Sequence, residues 1–351
     1  MQQHETINYP LEAPASGHWR EVAQGVYWVR LPMPLSLNHI NVWLLDDGEG
    51  LALVDTGLRT EEVVELWTTL LSAPPFNRPL TRIFVTHMHP DHVGMAGWLT
   101  RRFGVKLWMS RLEYLSCRAM VADMNREAPQ DALEFLQAAG WPTGAIEKYR
   151  ARFGGFGKMI YTLPDSFVRL SHGQTISIGE NQWQVIIGRG HSPEHACLYC
   201  PEQKLLISGD QVLPKISSNV SVHPLEPGAN PMADWLASLD WLEQNVPDDV
   251  LVMPAHDDCF YGLHARLRHL RESQHKSFAR LREALSHEPK RVVDVFSALF
   301  SRPIDANSGN YHLATGEALA CLNYLLERGE IRKTVTDGVA WYSNLADTAP
   351  H

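Results

Sequence analysis

The stretch Thr86 to Gly94, THMHPDHVG, constrains this chain more than any other. It places three histidines and an aspartate, His87, His89, Asp91 and His92, in one short turn after the apolar run Arg82 to Val85, which reads as a strand. Imidazole and carboxylate are the ligands that borderline divalent cations such as zinc prefer, and alternating residues at a strand end can turn several of them toward one point.

The segments before this turn read as a β-meander: Gly25 to Leu31, Ile40 to Leu45 and Leu51 to Val54 are short apolar runs, the last two flanking the turn residues DDGEG. The meander ends in Asp55-Thr56-Gly57, a polar triplet directly behind an apolar strand. Glu61 to Leu71 has helical periodicity, His92 to Phe103 reads as one helix, and Val105 to Met109 returns as a strand. Alternating strands and helices predict a layered α/β fold. Arg111 to about Ile160 is helical and closes with the glycine-rich FGGFGK, so it reads as an insertion between core elements, either a substrate cap or a surface helical pair.

Three more polar clusters follow. Gly190-His191-Ser192-Pro193-Glu194-His195 and Ser208-Gly209-Asp210 come after the β-rich segments Trp183 to Ile187 and Lys204 to Ile207. Met232 to Gln244 reads as a helix, and the strand Val250 to Val252 then delivers Pro254-Ala255-His256-Asp257. Polar residues placed repeatedly at strand ends are how α/β folds assemble one site from distant sequence. Beyond Gly262 come a long helix to about Ser286, helices at Arg291 to Phe300 and Ala314 to Arg328, and two strands in Glu330 to Tyr342 around Asp337-Gly338. Helix, helix and hairpin make a winged-helix-like tail. Its acidic and basic residues nearly balance, so packing, homodimerisation or shaping of a substrate mouth is expected of it rather than DNA reading.

A length of 351 residues suits about two domains. The formal net charge of -9 and the lack of a polybasic run argue against a nucleic-acid partner. The amino terminus lacks the basic start and apolar stretch of a secretory signal, and no segment is long and apolar enough to span a bilayer. Five scattered cysteines suit a reducing compartment, so the expected location is the cytoplasm, away from membranes. Cys197 and Cys200 form a CxxC inside an apparent strand and turn and read as buried structural thiols.

Taken in order, DTG (Asp55 to Gly57), THMHPDH (Thr86 to His92), GHSPEH (Gly190 to His195), SGD (Ser208 to Asp210) and PAHD (Pro254 to Asp257) resemble the motifs of the metallo-β-lactamase superfamily over roughly Gly25 to Phe260. The tail, including LRHLRESQHKSFARL (Leu267 to Leu281), resembles the β-lactamase-like-protein-2 type of subfamily. The resemblance implies an αββα sandwich with a two-metal site. The expected domains are an extension at 1–24, the metallo-β-lactamase domain at 25–261 with its insertion at about 111–160, and a helical, winged-helix-like domain at 262–351. It also implies ligands: His87, His89 and His191 for one cation, Asp91, His92 and His256 for the other, and Asp210 between them. Asp210 and Asp91 are the expected catalytic residues, and Asp55 and His195 the expected orienting residues. Zinc is the expected metal, although iron and manganese accept the same ligands.

A cation pair that supplies hydroxide implies a hydrolase. Asp210 and the missing export signal favour the thioesterase, lactonase and nuclease branches over secreted β-lactamases, and His89 argues against the flavodiiron branch. A small thioester or related ester is the expected substrate, of the acyl-CoA or glutathione kind, with Lys215, Asn219, His223 and Tyr261 as candidate contacts. Phosphodiester cleavage is the alternative, because some relatives with such a tail cut RNA. A lactonase, or a regulatory protein with an idle metal site, ranks below both.

Overall fold

The computed structural model describes residues 6–34 and 37–345. Residues 1–5, the head of the expected extension, residues 35–36, and residues 346–351, the end of the expected tail domain, lie outside the described residues. The chain divides into two compact units. One comprises Met1–Met124, Gly154–Ser218 and Leu242–Leu267, the other Asn125–Phe153, Asn219–Trp241 and Arg268–His351.

The first unit opens with β1 (Trp19–Ala23), β2 (Val26–Pro32), β3 (His39–Asp47) and β4 (Gly50–Val54), an antiparallel meander. Then come α1 (Glu61–Leu70), β5 (Leu80–Phe84), α2 (Pro90–Val93), α3 (Ala96–Phe103), β6 (Lys106–Ser110) and α4 (Arg111–Ala122). After α5 (Gln130–Ala138) and α6 (Thr143–Arg152) of the second unit, β7 (Val168–Leu170) completes a seven-stranded sheet in the order β1 to β7, parallel from β4 onward. A five-stranded sheet follows from β8 (Thr175–Ile178), β9 (Asn181–Gly188), β10 (His195–Cys200), β11 (Leu205–Gly209) and, after α7 (Pro231–Asn245), β12 (Leu251–Pro254). Its one parallel pair is β11 with β12.

Period-two alternation decides which side chains go where. In β3, Ile40, Val42 and Leu44 join α1, α3 and α4 residues such as Trp67, Leu99 and Tyr114 in one core, while Trp43 and Leu45 turn the other way. There they meet Trp28, Val54, Phe84, Trp183, Leu198, Ile207 and Met253 in a second core shared by both sheets. The expected α/β sandwich is therefore present, and its strands read as continuous apolar runs because both faces of the first sheet are covered.

One stretch expected as a single helix is broken. The stretch His92 to Phe103 is two helices, α2 and α3, broken at Gly94 and Met95. A Cβ on Gly94 would stand 2.4 Å from the Pro90 carbonyl and 2.6 Å from that of Gly57, so only glycine admits the DTG turn at this point. The Met95 N–H is taken by Gly57 O at 3.2 Å and Thr56 Oγ1 at 3.1 Å. The donor that would have continued the helix serves the neighbouring turn instead.

In the second unit, α5 and α6 are joined by α8 (Leu263–His287) from Arg268 onward, a 3₁₀ turn at Val292–Val295, α9 (Phe296–Leu299), α10 (Asn310–Glu327), β13 (Ile331–Thr336) and β14 (Val339–Asn344). The expected helix Arg291 to Phe300 is thus a 3₁₀ turn followed by a single α turn. Helix α10 is buried on more than one face: besides Tyr311, Ala314, Ala318, Leu322 and Leu325 at helical spacing, Thr315, Gly316, Leu319, Ala320 and Cys321 are also buried. The hairpin turn Asp337-Gly338 has φ of 52° and 77°, the left-handed pair that a tight two-residue hairpin requires.

Candidate metal centre

Strand ends deliver the polar clusters. Asp55 follows β4, His87 to His92 follow β5, His191 lies between β9 and β10, Asp210 follows β11, and His256 follows β12. The parallel pairs β4–β5 and β11–β12 make this the carboxyl edge of both sheets, where side chains leaving neighbouring strands converge.

The convergence is tight. Nε2 of His87 lies 2.9 Å from Nδ1 of His89 and 3.2 Å from Nε2 of His191, and Oδ2 of Asp210 is 3.4 Å from the latter. Oδ1 of the same aspartate is 3.5 Å from Nε2 of both His92 and His256, and Oδ2 of Asp91 is 3.7 Å and 3.4 Å from those nitrogens. His87, His89, His191 and Asp210 form one group able to hold a metal ion, and Asp91, His92 and His256 a second. Within each group the ligating atoms lie within 4.8 Å of one another. Nε2 of His92 and Oδ1 of Asp210 are buried without a hydrogen bond. Native proteins avoid such orphans, and a cation accepting both lone pairs removes the penalty, so the residues fit a metal.

The electrostatics of the protein alone agree. Burial opposes charge on His92, but the carboxylates of Asp55, Asp210 and Asp91 outweigh it and hold the imidazole well above its usual pKa. Burial likewise opposes charge on His256, and Asp210 and Asp91 push it up to about 10. Asp91, despite burial, is held down to about 2 by His92 and His256. On the other side of the site, burial and neighbouring imidazoles lower His87 well below its usual value and His89 to about 3. Neutral imidazoles there offer lone pairs, and positive charge is favoured beside the aspartates.

The nitrogen facing away from the cluster is held in each case that sets a tautomer. Nδ1 of His92 is 2.7 Å from Oδ2 of Asp55, and Nδ1 of His256 is 2.9 Å from the His39 carbonyl. Asp55 also accepts from the Thr86 N–H and hydroxyl, and Thr86 Oγ1 sits 3.0 Å from Nδ1 of His87. Asp55 adopts φ 61°, a costly conformation for a residue with a Cβ, and its contacts to Thr86 and His92 hold it there. Nε2 of His195 accepts the Asp210 N–H at 3.0 Å. Gly209 permits that approach, since a Cβ there would come within 2.5 Å of the same nitrogen.

Three residues of the site carry no sequence signal. Asn41, fully buried, donates to the carbonyls of Pro254 and Asp257, both at 2.9 Å, and so holds the turn that carries His256. Nε2 of His39 accepts from the Asp257 N–H at 3.0 Å, and burial followed by the Arg30 charge lowers its pKa to about 4. Glu113 on α4 accepts the N–H groups of Met88 and Glu194. All three act on backbone groups, so no pattern of residue types marks them.

The proposed substrate contacts are placed as follows. Nζ of Lys215 is bound to Asp258 at 2.6 Å and lies 5.4 Å from the Tyr9 ring centroid. Tyr261 pairs through its backbone with Asn8. Asn219 and His223 belong to the second unit, where Asn219 donates to Glu317 at 2.8 Å and His223 lies 6.1 Å from the His312 ring.

Comparison with known proteins gives the family. The family model described as Metallo-beta-lactamase superfamily matches residues 35–256, and one described as Metallo-beta-lactamase-like, C-terminal domain matches residues 278–345. A β-lactamase domain protein from Burkholderia ambifaria is 36% identical, with a TM-score of 0.88 over 96% of this chain and 98% of that one. A metallo-β-lactamase family protein from Thermus thermophilus is 25% identical, with a TM-score of 0.77 over 92% of this chain and 100% of that one. The acyl-coenzyme A thioesterase MBLAC2 of Gallus gallus is 27% identical over 55% of this chain, and the match spans only 65% of that relative's length. With its principal domain matched from residue 35 to the histidine of the last motif, the chain belongs to the metallo-β-lactamase superfamily.

Proposed function

We propose that this protein is a dinuclear metal-dependent hydrolase acting on a small acyl thioester. The observation that carries the reading is Asp210, whose two oxygens address different groups: Oδ2 lies 3.4 Å from His191, and Oδ1 lies 3.5 Å from His92 and His256. In this reading His87, His89 and His191 hold one divalent cation, Asp91, His92 and His256 the other, and Asp210 both. Zinc suits the nitrogen and oxygen donors, as do iron and manganese. Bound at these positions, such cations acidify water near neutral pH and stabilise the oxyanion that forms when a carbonyl is attacked. The protein's share is positioning. Asp55 and the His39 carbonyl fix the tautomers of His92 and His256, His195 holds the Asp210 backbone, and Asp91 stays ionised at any working pH.

The choice of a thioester is supported by the relatives named acyl-coenzyme A thioesterase in Gallus gallus, Bos taurus and Homo sapiens, at 26–27% identity. Five free, buried cysteines support a reducing compartment such as the cytoplasm. No helix among the described residues is long and apolar enough to cross a membrane.

A panel of acyl-CoA and glutathione thioesters, lactones, β-lactams, bis(p-nitrophenyl) phosphate and RNA tests the substrate class. Turnover is expected on thioesters, and activity confined to phosphodiesters would overturn the assignment. Asp210→Ala should reduce turnover to the blank and lower the metal content measured by mass spectrometry. Unchanged turnover in that variant would sink the mechanism.

A further inference from the structure

We propose that Glu113 is a positioning residue that ties the two histidine-bearing loops into one register, setting the geometry of the His87–His89–His191 group without touching a metal. The inference rests on the dinuclear reading above and deepens it. Glu113 is fully buried on α4, outside all five motifs. Its Oε2 accepts the N–H of Met88, the residue between His87 and His89, at 2.9 Å. Its Oε1 accepts the N–H of Glu194, three residues beyond His191, at 2.8 Å. One carboxylate thus spans a loop that leaves the seven-stranded sheet and a loop that belongs to the five-stranded one.

The neighbouring contacts point the same way. The Ser110 hydroxyl donates to the Glu194 carbonyl at 2.7 Å, and the Glu194 side chain accepts the Leu112 N–H at 2.9 Å, in the first turn of α4. The start of the helix and the second loop therefore grip each other at both backbone groups of Glu194. Burial raises the pKa of Glu113, against the opposing effects of the Ser192 side chain and of the two N–H groups it accepts. A carboxylate placed at that cost, where an apolar side chain would leave the Met88 and Glu194 N–H groups without their acceptor, marks a position whose two oxygens are needed. Glutamine cannot replace it, because one of its ends is an NH₂ that would face a backbone donor.

The test is metal binding by the full chain, read by competition with a chromophoric chelator for Zn²⁺. If the wild type fails to take up two ions, the dinuclear reading itself falls, whatever Glu113 does. Otherwise Glu113→Gln is compared with wild type in a His256→Ala background, which isolates the His87–His89–His191 group. The expected loss is about 10- to 100-fold in affinity, the scale of outer-shell substitutions, with a smaller change in a His87→Ala background that isolates the other group. An unchanged affinity, or equal losses at both groups, would overturn the proposal. Amide hydrogen exchange on the metal-free wild type keeps the question decidable if the variant does not fold. The Met88 and Glu194 amides should be protected to the same degree, and fast exchange at either one refutes the tie.

Discussion

In the proposed centre, His92 and His256 are the residues at which metal and proton would compete. In the protein alone, burial works against their charge, yet the surrounding aspartates hold both above their usual pKa, His256 at about 10. A ligand must offer a lone pair, so each imidazole has to give up its proton when a cation enters. The sign follows: below about pH 10 the proton on His256 opposes binding, and apparent metal affinity should rise with pH by roughly tenfold per unit for each proton displaced. Calorimetric titration of Zn²⁺ in buffers of different ionisation enthalpy should register that release at pH 7, and binding without proton release would contradict it. At this scale the candidate ligands were legible in the sequence through the motifs shared with the superfamily, which set imidazoles and carboxylates behind successive strands. Asn41, His39 and Glu113 were not, because they hold backbone groups of other segments, and any residue can present a backbone N–H or carbonyl.

Helix α1 shows how an element serves the site without contributing to it. Thr60 caps it, its side chain accepting the Val63 N–H at 3.1 Å, and Val63 and Trp67 are its buried face. The Trp67 indole then donates to the Thr56 carbonyl at 2.8 Å, fastening the turn that holds Asp55. Thr60→Ala should cost about 1 kcal/mol, the usual value of such a cap, seen as a lower urea midpoint with an unchanged slope. Zinc affinity should stay near wild type, since Trp67 remains packed; a large loss of metal would show that the cap is coupled to the site. Strands and most helices were readable from alternation and helical spacing. The break between α2 and α3 was not, because it depends on acceptors in the DTG turn, distant in sequence, that take the Met95 N–H.

Across the first unit, the candidate metal centre joins loops from β4 and β5 of one sheet to loops from β9, β11 and β12 of the other. A cation bound by the folded state alone should therefore stabilise that state, by about 4 kcal/mol per ion at a thousandfold excess over Kd. Scanning calorimetry with and without a chelator checks this: chelation should lower Tm, and re-addition of zinc should restore it. An unmoved Tm would mean that the cluster holds no ion under those conditions. The sequence by itself determined the superfamily and the alternation of the strands, because these rest on residue type and local spacing, and the motifs shared with the superfamily pointed to the candidate ligands. Only the tertiary structure decided which oxygen of Asp210 faces which histidine, which nitrogen of each ring is held back, and what ties THMHPDHVG to GHSPEH. Those are distances between segments far apart in the chain, fixed by packing two sheets against each other, and no local pattern encodes them.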